Sequence, residues 1–368
     1  MRKESRVRVD RELKATRLKH NLSQAELAEK IGTTSVNVSR WERGFTSPSP
    51  YYRRQLCELF QMSAEELFPG LRKEKGIEHE ALNQAISEDV FFYNHAVLPA
   101  PEEFFGRRRE RRQILNRIKQ GQPVAIVGAR RIGKTWLLRY LEMVIQRDMQ
   151  ERAIVGYLDA QWPSCATIPQ LLSMMLHKLH IDQPAENTER GYLQQLETGI
   201  KQLQSNGTVP VICIDKFERI CKIPERCFET LEKLRALTQI GLCLVTASRQ
   251  PVGRIIRNTE SATDTSPFDN VFMVFHLAPF SLQEAQEFIH IKGAAAELTE
   301  AEQEKILQYA RHKESEQWFP WKLQLAGTLL HNDKMLAGEG YRDTYRPHDP
   351  AYWQEFEQRI QEISQEEN

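Results

Sequence analysis

Over residues 22–44 the apolar positions recur at intervals of three and four. Leu27, Ala28 and Ile31 form one stripe, and Val38 and Trp41 form a second, each at the spacing of an amphipathic helix. Ser23 followed by Glu26 marks a capped helix start, and Gly32 and Gly44 suit the ends of two helices. The pattern predicts a helix from Ser23, a turn, and a second helix from Thr34 to Arg43. From residue 123 the period changes. Pro123 to Val127 is a short apolar run closed by glycine, which reads as a buried strand. Trp136, Leu137, Tyr140, Leu141, Val144 and Ile145 then return at helical spacing. Val209 to Asp215 and Leu242 to Thr246 read as further buried strands, and a helix opens at Ser281. Beyond Tyr341 the aromatic positions Tyr345, Tyr352, Trp353 and Phe356 predict a packed terminal helix.

Between the first strand and its helix lies Gly128-Ala129-Arg130-Arg131-Ile132-Gly133-Lys134-Thr135, which fits the phosphate-binding loop pattern without a mismatch. Glycines at 128 and 133 let the backbone curl so that its N–H groups point at phosphate oxygens. The helix N-terminus adds its positive dipole end. Lys134 would reach the β- and γ-phosphates of ATP, and the Thr135 hydroxyl would hold Mg²⁺. Asp215, at the tip of a strand, is the expected second Mg²⁺ ligand.

The next position departs from the pattern of fast ATPases, which carry Glu there. This chain has Lys216, then Phe217 and Glu218. A charged lysine cannot accept a proton from water. Two readings stand: Glu218 acts from a different angle, or hydrolysis is slow. The strand ending at Thr246 runs on into Ala247-Ser248-Arg249. Ser248 and Arg249 either sense the γ-phosphate or form a solvated strand end.

These motifs resemble AAA+-like P-loop ATPases and, within them, the STAND-type signalling ATPases. Phe104-Phe105-Gly106-Arg107-Arg108-Arg109-Glu110 is similar to the lead-in segment of that family, which implies that Arg107 contacts nucleotide. Phe275 to Phe280 resembles the proline-containing approach to a small helical lid, and Phe319 to Leu325 resembles the lid's later helix. The resemblance covers about residues 100 to 335. Two features differ from the family: Lys216, and the lack of a repeat array after the lid, so a signal would arrive elsewhere or through an unidentified protein partner.

The N-terminal segment, Leu22 to Thr34 with Ser39-Arg40-Trp41-Glu42-Arg43-Gly44, resembles the Cro/Xre family of repressors. The resemblance implies a five-helix domain that binds double-stranded DNA. Gln24 would meet phosphate or a base edge. Ser35, Val36 and Arg40 would face the major groove, with Thr34, Asn37 and Arg43 beside them.

The chain has 368 residues, more than one core, and its 50 Lys+Arg balance 50 Asp+Glu. Any DNA contact must therefore be local. Residues 1–72 hold 14 basic against 9 acidic residues, a net of +5. The arginines from 107 to 112 read as a solvated helix face, with a second nucleic-acid patch as the alternative. The cysteines show no Cys-x-x-Cys pair, and Cys213 and Cys243 fall in predicted strands, as in a reducing cytosol. No signal peptide or apolar run near twenty residues is present, so a cytoplasmic protein with no membrane partner is expected.

The expected fold is multidomain. An all-α five-helix helix-turn-helix domain (1–70) is followed by a linker with a helix (71–100), then an α/β P-loop NTPase core with a parallel sheet (101–280), then a helical lid and C-terminal segment (281–368). The expected function is a DNA-binding regulator controlled by ATP and Mg²⁺ through homo-oligomerisation. The alternatives are a DNA-targeted ATPase acting as a loader or transposition-type regulator, or a defence-related protein whose DNA-binding module is autoregulatory.

Overall fold

The computed structural model describes residues 12–31, 35–42, 48, 50–68, 90–93, 97–222, 224–251, 253–254, 271–312, 315–338 and 342–366. The chain divides into two units, Met1–Val97 and Leu98–Asn368. The helix expected in the linker lies, up to residue 89, outside the described residues, and so does the segment 258–270, rich in Thr, Ser and Asp and expected as a loop.

Among the described residues the first unit consists of α1 (12–19), α2 (Gln24–Ile31), α3 (Ser35–Glu42), α4 (Pro50–Phe60) and α5 (Ala64–Leu67). The capping box holds α2 as expected: the Glu26 amide donates to Ser23 Oγ at 3.1 Å, and the Ser23 amide donates to Glu26 Oε2 at 2.7 Å. Leu27, Ile31, Val38, Trp41, Leu56 and Phe60 share one core. Inside it sits a buried ion pair. Arg17 donates through Nε to Glu42 Oε1 at 2.5 Å and through Nη2 to Oε2 at 3.1 Å. This bidentate geometry offsets the desolvation of both charges.

The second unit opens with α6 (Arg108–Lys119), followed by β1 (Val124–Gly128), α7 (Lys134–Met149), β2 (Ala153–Asp159), α8 (Ile168–Lys178), α9 (Glu189–Ser205) and β3 (Val209–Asp215). Next come α10 (Pro224–Gln239), β4 (Cys243–Ser248) and β5 (Met273–Leu277). The lid follows as α11 (Leu282–Ala295), α12 (Glu300–Ala310) and α13 (Pro320–Gly338), and α14 (Pro350–Glu366) comes last. The strands form one five-stranded sheet in the order β2-β3-β4-β1-β5, with every pairing parallel.

The sheet is buried on both faces, as parallel sheets require. Along β3, Ile212 and Ile214 join the core beneath α8, α9 and α10, while the alternate Val211 and Cys213 join the core beneath α6 and α7. Leu98 is fully buried in the second of these cores, so the chain is already tied to this unit ahead of the Pro99–Pro101 stretch.

Two strands were not anticipated. β2 is absent from the expected strands. Phe275 to Leu277, read as the approach to the lid, belongs to β5, which pairs only with β1 among the described residues. Its burial alternates, with Phe275 and Leu277 in and Val274 and His276 exposed, so it lacks the continuous apolar run of an inner strand. After β5, the capping box of Ser281 and Glu284 opens α11 as expected. The terminal aromatics pack as expected, with Tyr352 and Phe356 buried. Tyr352 Oη donates to Asp333 Oδ2 at 2.7 Å, and Arg359 Nη2 donates to the same atom at 2.5 Å.

Arg17→Met should leave the Glu42 carboxylate buried without its counter-ion. The expected loss is about 3 kcal/mol from the stability of the first unit, read as a shift of its urea transition. A shift worth less than about 1 kcal/mol would show that the pair is solvated.

Candidate nucleotide site and DNA-facing helix

Because all strands run parallel, the carboxyl ends of β1, β2, β3 and β4 lie along one edge of the sheet. Gly128, Asp159, Asp215 and Ser248 are their last residues. The phosphate loop leaves β1 and enters α7. Arg131 and Gly133 adopt left-handed conformations, with φ of 63° and 98°, and these fold the loop back on itself. A Cβ on Gly133 would meet nothing within 4 Å, so the face of the loop is open there. Gly128 is the opposite case: a Cβ would lie 2.9 Å from Ile132 Cγ2 and 3.1 Å from the Leu277 carbonyl oxygen. One glycine gives curvature, and the other gives close packing.

Lys134 Nζ donates to the carbonyls of Gly128 and Ala129, both at 2.8 Å, which suspends its ammonium over the loop. Burial pushes its pKa below the usual lysine value, Asp215 and Glu218 pull it back up, and Arg249 pushes it down. A cation so poorly hydrated favours an anionic ligand. Ala129 and Arg130 are exposed, and Ile132 is buried in the core. The Arg131 guanidinium lies 4.7 Å from the ring centroid of Trp321 on α13.

Thr135 Oγ1 donates to Asp215 Oδ2 at 2.5 Å, so the two expected metal ligands meet. A hydroxyl and a carboxylate are hard oxygen donors of the kind Mg²⁺ takes, with phosphate and water completing its octahedron. These residues fit the ion. Tyr157 was not anticipated. Its Oη donates to the same Asp215 Oδ2 at 3.1 Å, and the Arg139 guanidinium lies 3.4 Å from its ring centroid. Burial raises its pKa well above the usual tyrosine value, with Asp215 adding to the rise, so the hydroxyl stays a donor. The Lys216 amide donates to Asp215 Oδ1 at 2.8 Å.

The Lys216 side chain turns away from the loop. Its ammonium pairs with Asp159 Oδ2 at 2.5 Å, at the tip of β2. Asp159 and Asp215 are register partners, and burial raises the Asp159 pKa while Lys216 lowers it. β2 and its two polar residues could have been found by eye. Ala153-Ile154-Val155-Gly156-Tyr157-Leu158-Asp159 is an apolar run ending in a carboxylate, as is Val209 to Asp215.

Glu218 stands on the short turn after Lys216. Its Oε1 pairs with Arg249 Nε at 3.6 Å, while its buried Oε2 has no hydrogen-bond partner among the described residues. Arg249 is 56% exposed at its side chain. Ser248 is buried and donates to the Gln250 carbonyl at 2.6 Å, so its hydroxyl is spent on the strand's own turn.

Arg107, expected to contact nucleotide, is buried and braces the loop through a backbone carbonyl, its Nη2 donating to Ile132 O at 2.8 Å. Its amide donates to Glu284 Oε1 at 2.8 Å, and its guanidinium lies 5.4 Å from the Phe280 ring centroid. Burial lowers its pKa, which Glu284 and Glu110 oppose.

In the first unit Ser35 is exposed at the start of α3, while Val38 and Trp41 face the core. Gln24, expected at the DNA, donates through Nε2 to Glu42 Oε2 at 2.6 Å and so is drawn onto α3. Thr34 and Arg43 lie outside the described residues, as do the side chains of Val36, Asn37 and Arg40. Cys57, Cys165, Cys213 and Cys243 form no disulfide, and Cys227 is disulfide-bonded, which the cysteine spacing does not suggest. Among the described residues no group of three or more His, Cys, Asp or Glu side chains is placed to hold a metal, and no helix is long and apolar enough to cross a membrane.

Residues 13–67 match the helix-turn-helix family model, and residues 116–263 match an AAA domain model. No curated protein matches the chain. The ORC2 protein of Aeropyrum pernix, solved in ADPNP–ADP complexes, is similar over 75% of this chain and 72% of its own, with 14% identity and a TM-score of 0.54. The ORC1 protein of Aeropyrum pernix, solved in complex with DNA, is similar over 72% of this chain and 68% of its own, with 13% identity and a TM-score of 0.50. At these identities the likeness is one of fold.

Tyr157→Phe should weaken Mg²⁺ binding in the presence of ATP by about tenfold, since it removes a donor that orients the metal-binding carboxylate. Calorimetric Mg²⁺ titration of the nucleotide-bound chain reads this directly. An unchanged metal affinity would mean that the Thr135 hydroxyl and the Lys216 amide suffice.

Proposed function

Starting from a helix-turn-helix module joined to an AAA domain, we propose that this chain is an ATP-binding, sequence-specific DNA-binding regulator. Its nucleotide state governs self-assembly and, through it, occupancy of DNA in the cytoplasm. The observation that carries this reading is the Arg107 corner, which holds the phosphate loop by Ile132 and the lid by Glu284. A change at the phosphates therefore reaches the lid through hydrogen bonds within one unit.

The loop amides and Lys134 bind the phosphates of ATP, and Thr135 and Asp215 hold Mg²⁺, which draws charge from the γ-phosphate when bound. Turnover is slow in this reading. Lys216 supplies no acceptor for a proton, and Glu218 is the acid left near Lys134, half-engaged by Arg249. Arg249 is the group that would exchange Glu218 for the γ-phosphate. A slow site stores ATP as a state, in the manner of STAND-type switches.

A repressor-type module contacts one half-site per copy, and half-sites lie about one helical turn apart. Assembly driven by ATP would supply the second copy and raise the effective concentration of each module at its half-site.

Lys134→Ala should abolish any effect of ATP on operator affinity while the chain stays folded. Anisotropy titrations of a labelled operator at fixed salt, with and without ATP, read this. Equal affinity in the two wild-type titrations would remove the coupling.

The wild-type steady-state ATPase rate should fall below about 1 s⁻¹, and Glu218→Gln should lower it further by about a hundredfold with ATP affinity preserved. A rate well above that bound would favour the DNA-targeted loader over the switch.

A further inference from the structure

The arginines from 107 to 112 do not act as one run. Arg107 is buried, and Arg111 is laid over the rings of Phe104 and Tyr140, with its Nη1 donating to the Phe104 carbonyl at 3.0 Å. Arg108 pairs with Glu287 of the lid. Arg109 and Arg112 remain, and one turn beyond Asn116 on the same face stands Lys119. All three are exposed, and among the described residues none has an ion-pair partner.

Gln113, Asn116 and Gln120 lie among them and are also exposed. At 100° per residue these six positions fall within about a third of the helix circumference. The helix's one acid, Glu110, projects outside that arc, and Ile114 and Ile118 are buried on the opposite side. We propose that this face of α6 is a second DNA-contacting surface, which holds the phosphate backbone through Arg109, Arg112 and Lys119.

Charge segregation supports this. Acids and bases are equal in number over the whole chain, and a solvated helix face in such a protein ordinarily mixes the two signs. On two other helices of the unit a base is neutralised: Lys233 of α10 has both Glu189 and Glu229, and Lys334 of α13 has Glu302. The α6 stripe holds no acid. From Arg109 to Lys119 it extends about 15 Å, and one DNA strand presents a phosphate about every 3.4 Å along the duplex axis.

The side-chain chemistry is that of backbone binding. Arginine and lysine neutralise phosphate, and asparagine and glutamine donate hydrogen bonds to its oxygens. The partner is DNA because the chain already carries a DNA-reading module, so a duplex bound there is present at high local concentration. The surface adds affinity and no base discrimination, so it complements α3.

The inference rests on the proposal that this chain binds DNA, and the experiment separates the two. The full chain carrying R109Q, R112Q and K119Q together is compared with wild type for binding to an operator duplex and to a scrambled duplex over a range of salt. The slope of log affinity against log salt should be shallower by about 0.9 per lost phosphate contact, up to about 2.7 in all. The loss at any one salt should be equal for the two duplexes, and ATP affinity, which these exposed residues do not touch, should be unchanged. A wild-type slope retained by the variant would overturn the surface and leave DNA binding by the first unit standing; a stripe that serves an acidic protein gives this same result. A wild-type chain that binds neither duplex would overturn both.

Discussion

Three parts of the second unit meet at the corner formed by Gly106 and Arg107. Both residues are left-handed, with φ of 66° and 55°. A Cβ on Gly106 would lie 2.9 Å from Glu284 Oε1, the atom that accepts the Arg107 amide, so glycine is required for the lid to come this close. Glu284 also completes the capping box of α11 through its other oxygen. One carboxylate thus starts the lid and anchors it. The Arg107 guanidinium reaches the phosphate loop from the same corner and is itself buried, while Glu284 is half-buried. The Ile132 carbonyl and the Glu284 carboxylate are thus held by one residue, so α11 and the phosphate loop are joined through a single arginine.

A second constraint comes from the parallel register of β2 and β3. It sets Asp159 beside Asp215 at the site's edge, two carboxylates in a poorly hydrated place. Lys216 answers that problem. Its backbone is left-handed, with φ of 51°, and its ammonium is given to Asp159. In the sequence Lys216 reads as a catalytic acid lost; in the structure it is a counter-ion gained. An acid at this position would gather three carboxylates at the strand tips, whereas lysine supplies a counter-ion to Asp159.

The parts that could be read in the sequence are those governed by local rules. The phosphate loop, the Ser23 and Ser281 caps and the amphipathic helices each depend on residues only a few places apart. What escaped reading depends on distant partners. Arg107 is drawn inward by Ile132 and Glu284, and Gln24 is drawn onto α3 by a carboxylate that also binds Arg17. Tyr157 lies on a strand that the apolar pattern could have disclosed, yet its role depends on β3, more than fifty positions away. β5 does not announce itself as a strand, because an edge strand, half-exposed, lacks the unbroken apolar run of the inner strands.

The strand order also bears on how the protein is made. β1 carries the phosphate loop, yet its neighbours in the sheet are β4 and β5, the last two strands among the described residues. As a nascent chain emerges from the ribosome, the helices of the first unit have all their partners early, and domains generally fold in that order. The nucleotide site can close only after Leu277 has emerged, because only then can β1 pair on both edges. For much of its synthesis the polypeptide therefore has a complete helix-turn-helix module while the sheet that carries the phosphate loop is still unfinished.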